Sequence, residues 1–198
     1  MAFFRNAMSS AVTPSSLTGR RILLGVSGSI AAYKAAPLTR LLVQAGAEVQ
    51  VILTESAAAF VTPLTLGTLS KKPVLTGFLR DAASGQWHNH VELGLWADAY
   101  LIAPASANTL GQLANGLCSN LLSAVYLSAR CPVFLAPAMD LDMYAHPAVQ
   151  QNIQRLRSFG NHVFDSPAGE LASGLSGPGR MLEPAQLVAE LAEFFSTK

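Results

Sequence analysis

An apolar run that passes into a helical pattern without a linker constrains this chain most. Residues 99–103 are apolar and few enough for a buried strand. At Pro104 the run breaks into Ser106, Asn108 and Thr109, and a helical pattern follows at once. A strand that feeds a polar turn opening a helix is the repeating unit of α/β folds, and the free N–H groups at the helix start attract anions. Residues 90–109 therefore read as the floor of a ligand site, with His90 just upstream of the strand.

The same alternation recurs from residue 21 onward. Residues 22–26 read as a strand, 29–45 as an amphipathic helix bent at Pro37 and stopped by Gly46, and 48–53 as a second strand. A short helix from Glu55, a segment over 63–69 and an extended piece over 74–78 lead into a polar loop, 80–89. Beyond the central strand a helix over 107–115 ends at Gly116, Asn120 caps another through residue 129, and 132–135 form a further buried strand. A helix from Pro147 to Phe159, a last strand over 161–164, a Gly-rich loop over 169–179 and an amphipathic helix over 184–195 complete the pattern. Such alternation predicts a single α/β domain over residues 20–198, a parallel sheet with helices on both faces. Residues 1–19 carry Ser, Thr and Pro without an acid and are expected to form a disordered tail.

Composition narrows what the domain can serve. With 198 residues, 51% of them hydrophobic, the chain suffices for one well-buried domain and is too short for two ordinary ones. A charged fraction of 13% and a net charge of +1 leave no footprint for nucleic acid or an anionic membrane, and no run of about 18 apolar residues reads as a membrane span. Low charge with positive mean hydropathy points to surface buried between subunits. Cys118 and Cys131 have neither metal-ligand spacing nor the density of a disulfide framework, which fits a reducing cytoplasm and no metal site.

The first strand ends in Gly-Val-Ser-Gly-Ser-Ile, residues 25–30, where Gly28 permits close backbone approach and Ser27 and Ser29 bring hydroxyls to a helix start. The full G-x-G-x-x-G fingerprint is absent, and Thr54 and Ser56 stand where a dinucleotide site places an acid. A mononucleotide held by hydroxyls and backbone amides suits these residues better. Gly-Ser at such a turn is also ordinary capping chemistry.

Taken with further stretches the cradle resembles a family. Residues 27–34 (Ser-Gly-Ser-Ile-Ala-Ala-Tyr-Lys), 90–93 (His-Val-Glu-Leu), 104–109 (Pro-Ala-Ser-Ala-Asn-Thr), 137–143 (Pro-Ala-Met-Asp-Leu-Asp-Met) and 172–181 (Ala-Ser-Gly-Leu-Ser-Gly-Pro-Gly-Arg-Met) are similar, in order, to the motifs of the flavin-dependent cysteine decarboxylases. The branch most resembled acts on 4'-phosphopantothenoylcysteine in coenzyme A biosynthesis. The resemblance implies a Rossmann-like or flavodoxin-like subunit in a homotrimer or dodecamer, with FMN at subunit interfaces, and leaves room for a fused synthetase domain beyond Lys198. By position it implies that Gly28, Ser29, Ile30, Thr54, Ser56, Ser106, Ala107, Asn108, Thr109 and Ala138 hold FMN. It makes His90 the active-site histidine, places Asp140 and Met143 against the substrate, and makes residues 172–181, with Arg180 and Met181, a closing flap. His88, His146 and His162 have no such match and read as surface or packing residues.

The implied chemistry is intelligible. A cysteine carboxylate has no electron sink. Hydride removal from Cβ to FMN gives a thioaldehyde, and loss of carbon dioxide then places charge on sulfur as an enethiolate. Imidazole is available as a neutral base at pH 7 to handle the thiol proton. Two positions depart from the family pattern. Asp140 stands where an Asn is usual, and an ionised carboxylate accepts hydrogen bonds but donates none. Ser173 stands where the coenzyme A branch carries a cysteine that protonates the enethiolate; an alcohol is a weaker acid than a thiol, so Ser173 is expected to relay a proton from water or a nearby acid such as Glu170. Related readings are a peptidyl-cysteine oxidative decarboxylase releasing an enethiol, a flavin prenyltransferase, and a non-enzymatic FMN-bearing binding subunit.

Overall fold

The computed structural model describes residues 16–81 and 83–197. Five parallel strands form the sheet: β1 (Arg21–Val26), β2 (Glu48–Leu53), β5 (Ala99–Ala105), β6 (Val133–Pro137) and β7 (His162–Val163), in the order β2-β1-β5-β6-β7. The two short strands that follow β2, β3 (Leu79–Asp81) and β4 (Gln86–Trp87), form a separate antiparallel ribbon that, apart from Leu79, lies in the span 80–89 expected to be loop. The extended piece at 74–78 lies against the free edge of β2, where Leu53 N–H donates to the Leu75 carbonyl and Leu75 N–H to Val51.

Alternation along the strands divides the core. Ile22, Leu24 and Val26 of β1 join one cluster, with α1 (Ala35–Gln44) and α9 (Pro184–Ser196), through Leu38, Leu42, Leu187 and Leu191. Leu23 faces the other cluster, built on α5 (Ala107–Ala114), α6 (Leu121–Ser128) and α8 (Pro147–Ser158) through Leu110, Leu122, Val125 and Ile153. Each such leucine stabilises the fold by about 1.5–3 kcal/mol when fully buried. Helices thus cover both faces, as parallel strands that are apolar throughout require.

Several expected boundaries move. The helix expected over 29–45 is a 3-10 turn, Ile30–Lys34, followed by α1; Pro37 sits in the first turn of α1, where its missing N–H needs no partner, so the break precedes the proline. Two short helices, α2 (Glu55–Ala58) and α3 (Pro63–Ser70), occupy the next stretch, each opened by a threonine cap. His90 begins a helix, α4 (His90–Trp96), capped by the Asn89 side chain, where only an approach to the central strand was expected. That strand continues through Pro104 to Ala105. After β6 comes α7 (Leu141–Ala145), and the Gly-rich loop contains a hairpin of β8 (Ala168–Glu170) and β9 (Ser176–Pro178). Residues 16–19, assigned to the tail, form a turn with Leu17 fully buried in the core; residues 1–15 of the expected tail lie outside the described residues.

Candidate active site

The strand order reverses between β1 and β5, and there the loops leaving their carboxyl ends meet. Ser27 joins them: its hydroxyl donates to the Pro104 carbonyl (2.8 Å) and accepts from Ser106 N–H (2.9 Å). Ser106 caps α5 through Thr109 N–H, and its hydroxyl donates to that of Thr109 (3.1 Å). Gly28 lies so close to Ser56 that a Cβ would stand 2.4 Å from its hydroxyl. Thr54 caps α2 and lies 3.2 Å from the Ser56 hydroxyl. Ser29 caps the 3-10 turn through Ala31 N–H. Three capped helical starts thus converge on one crevice, hydroxyl-lined and without a carboxylate at the end of β2, where Thr54 stands. Asn108 is exposed beside it, next to Ala107 in the first turn of α5. This arrangement fits a flavin mononucleotide better than a dinucleotide.

Beside the crevice a cavity of about 510 Å³ is lined by Ser29, Ile30, Tyr33 and Lys34, by Ala138, Met139 and Asp140 after β6, and by Glu170, Leu171, Ala172, Gly179, Arg180 and Met181 of the hairpin and its base. The hairpin base is docked onto the turn after β6. Met139 N–H donates to the Gly179 carbonyl (3.0 Å), and Gly179, at φ 137°, approaches Met139 so closely that a Cβ would lie 2.5 Å from its carbonyl oxygen. No hydrogen bond or ion pair engages the Asp140 carboxylate among the described residues, although Asp140 precedes α7 at the cap position. Met181 is buried and presents its carbonyl to Lys34.

The structure therefore brings together Ser29, Ile30, Ala138, Asp140, Arg180 and Met181 around the cavity, and Gly28, Thr54, Ser56, Ser106 and Thr109 around the adjoining crevice. It does not bring the remaining candidates to the same wall. Met143 sits half-exposed on α7, and Ser173, at the exposed hairpin tip, accepts from Leu175 N–H. His90 starts α4, whose Leu93 and Trp96 pack on the opposite face of the sheet from Ala138 and Met181. Its Nδ1 is buried without a hydrogen-bond partner among the described residues. Around it the surface is apolar, with Leu79, Trp87, Val91, Leu95 and Leu127 exposed.

Sequence reasoning missed Lys34 and Glu183 as site residues. The Lys34 ammonium, buried in the cavity wall, pairs with Glu183 (2.7 Å), and this hydrogen bond holds the Glu183 carboxyl below the ordinary glutamate range. A signal was present: Lys34, Leu38 and Leu42 fall at helical spacing, which puts a lysine on the apolar face.

A five-stranded parallel sheet in this order, with its ligand crevice at the reversal, defines the flavodoxin-like class. The chain belongs to the Flavoprotein family, whose model matches residues 10–196. A "Cysteine/Cysteine sulfinic acid decarboxylase" from an unknown prokaryotic organism is 59% identical over 138 residues, 70% of this chain and 38% of the relative. The coenzyme A biosynthesis bifunctional protein CoaBC of Vibrio cholerae is 48% identical over 183 residues, 92% of this chain and 46% of the relative. The chain thus spans less than half the length of these two relatives. Among solved structures, a cysteine-to-serine mutant of PPC decarboxylase complexed with pantothenoylaminoethenethiol matches with a TM-score of 0.79 and 34% identity, over 90% of this chain and 99% of that one. The FMN binding protein AtHal3 matches at 0.78 and 33%, over 90% and 98%.

Proposed function

We propose that this chain binds FMN and decarboxylates 4'-phosphopantothenoylcysteine to 4'-phosphopantetheine. The observation that carries the reading is the cavity of about 510 Å³, which gathers the candidate substrate residues Asp140, Arg180 and Met181 beside the hydroxyl-lined crevice at the β1/β5 reversal. Bound FMN supplies the hydride acceptor that a cysteine carboxylate lacks. The protein's own contributions are separable. Gly28, Thr54, Ser56 and Ser106 shape the crevice, the docked hairpin base walls one side of the cavity, and the Arg180 guanidinium offers N–H donors to an anionic group. His90 takes the thiol proton at its ring nitrogen.

His90 reaches the cavity from a second copy of the chain in this reading. The apolar surface around Val91 and Leu95 is the face that copies bury, as a trimer or dodecamer with FMN between subunits. A fused synthetase domain and a cytoplasmic setting belong to the same proposal; among the described residues no helix is long and apolar enough to cross a membrane. Mixing the FMN-loaded protein with 4'-phosphopantothenoylcysteine should give, by mass spectrometry, loss of carbon dioxide without net oxidation. A product two mass units lighter than phosphopantetheine would refute this assignment in favour of an enethiol-releasing enzyme.

Asp140 favours a second substrate, free cysteine or cysteine sulfinate. Their α-nitrogen is an ammonium that an unengaged carboxylate attracts, whereas an acylated cysteine offers an amide N–H there. Asp140→Asn should leave turnover of 4'-phosphopantothenoylcysteine intact or improved. The same change should cost roughly tenfold in KM for free cysteine, the scale of one charge-assisted hydrogen bond. Loss of both activities with FMN still bound would remove this reading of Asp140.

A further inference from the structure

We propose that Lys34 is a positioning residue which, by occupying Glu183, keeps the Arg180 guanidinium available to an anionic group of the substrate in the cavity. The decarboxylase reading enters only in the choice of that substrate.

A buried ammonium requires a partner. The Lys34 side chain is 9% exposed, and its Nζ donates to Glu183 Oε1 at 2.7 Å and to the Met181 carbonyl at 3.5 Å. The same Oε1 accepts from Arg180 Nη2, at the longer distance of 3.2 Å. One carboxylate oxygen therefore serves two cations, and the nearer is lysine. Within this trio two cations share one carboxylate, so one positive charge stays uncompensated by Glu183, and both cations line the cavity together with Asp140 and Glu170. Arg180 is the one able to deliver it, because its side chain is 39% exposed and crosses the hairpin at Gly169, where a Cβ would lie 2.8 Å from Nη1. Among the described residues no ion pair joins Arg180 to Asp140 or Glu170, the other acids of the cavity. A guanidinium has five N–H donors in a planar fork. With Lys34 in place it makes one long contact to Glu183; without Lys34 the carboxylate is free to take the fork in bidentate fashion and draw the guanidinium from the cavity.

The test compares Lys34→Met, Lys34→Arg, Glu183→Gln and the double variant Lys34→Met/Glu183→Gln, each loaded with FMN. Lys34→Met should raise KM for 4'-phosphopantothenoylcysteine about tenfold, the scale of a hydrogen bond to a charged group, with kcat within about twofold. Lys34→Arg should hold KM near the parent value. The double variant, which removes the competing carboxylate, should recover it. A second readout needs no turnover. Phenylglyoxal labelling of Arg180, followed by peptide mass, should slow in Lys34→Met, return in the double variant, and quicken in Glu183→Gln. If the two variants containing Lys34→Met lose KM and kcat alike, or labelling is the same in all of them, the proposal is overturned and Lys34 is a packing residue. If Lys34→Met does not fold, the labelling rate of Glu183→Gln decides by itself, with no acceleration refuting the proposal. Absent turnover in the parent protein would strike the decarboxylase reading, while the labelling order would still decide the role of Lys34.

Discussion

The cavity beside β1 and the surface around His90 are built from opposite materials. In the crevice and along the Lys34 wall of the cavity polar groups are partnered: hydroxyls cap helices, Ser27 bridges β1 to β5, and Glu183 serves two cations, while the Asp140 carboxylate is left open to the cavity. At the α4 surface a buried imidazole nitrogen has no partner among the described residues, and large apolar side chains face solvent. A polar group buried without a partner is costly and needs a reason, as does a cluster of exposed hydrophobics. The contrast separates a region whose polar network is made by one chain from one whose exposed apolar side chains, under the proposed function, are the face another copy covers. In that proposed assembly the His90 imidazole enters the second copy's cavity.

His90→Asn attacks the contrast most severely. It should reduce decarboxylation by about 10²-fold or more, as loss of a general base does, while FMN stays bound by absorbance. Parent-like turnover would leave His90 a structural residue. Leu95→Asp places a charge in the apolar face and should shift the protein toward monomer in light scattering, with activity falling in parallel. An unchanged mass would mean that this face is not where copies meet. Ser173→Cys is gentler and should speed formation of the reduced aminothiol by about tenfold at most, because a thiol yields its proton more readily than an alcohol. Ser173→Ala should let the oxidised enethiol accumulate, and equal product ratios in all three proteins would make Ser173 a mere hairpin-tip residue.

The smallest effect concerns the partnered region. The Lys34 hydrogen bond lowers the Glu183 pKa in the folded protein, so its stabilisation is complete above the unfolded glutamate range and is lost as pH falls through the depressed folded value. Glu183 is 48% exposed, which limits the term to about 1 kcal/mol or less after screening. The Tm gap between the parent and Glu183→Gln should therefore be widest near neutral pH and close below about pH 4. A gap that widens in acid would contradict the assigned direction.

Much of the frame was legible because central parallel strands buried on both faces are written as apolar runs: 22–26, 99–103 and 132–135 gave strands of the main sheet, and the edge strand 48–53 showed through its Val49, Val51, Ile52 and Leu53. What was missed is short. The ribbon Leu79–Asp81 with Gln86–Trp87 and the hairpin Ala168–Glu170 with Ser176–Pro178 have too few residues to show a period of two. The helix His90–Trp96 is a single capped stretch whose Gly94 lowers its propensity. Contact explains that glycine, since a Cβ there would stand 2.9 Å from the Ser128 carbonyl oxygen. The hydroxyl crevice was readable because each of its caps is local to its own strand–helix junction. The pairing of Lys34 with Glu183 was not, since 149 positions separate them and only the packing of α1 against α9 brings them together.

The Ser27 hydroxyl carries a kinetic implication. It ties the residue after β1 to Pro104 near the end of β5 and to the Ser106 amide just beyond it, so the turn into α5 lifts away from β1 only after the Ser106 bond to that hydroxyl breaks. The Ser106 amide should then exchange with solvent deuterium on the slow schedule of the central strands rather than at the rate of surface turns. Replacing Ser27 by alanine should uncouple that amide from the sheet and bring its exchange forward, a clock for how often the floor of the crevice opens.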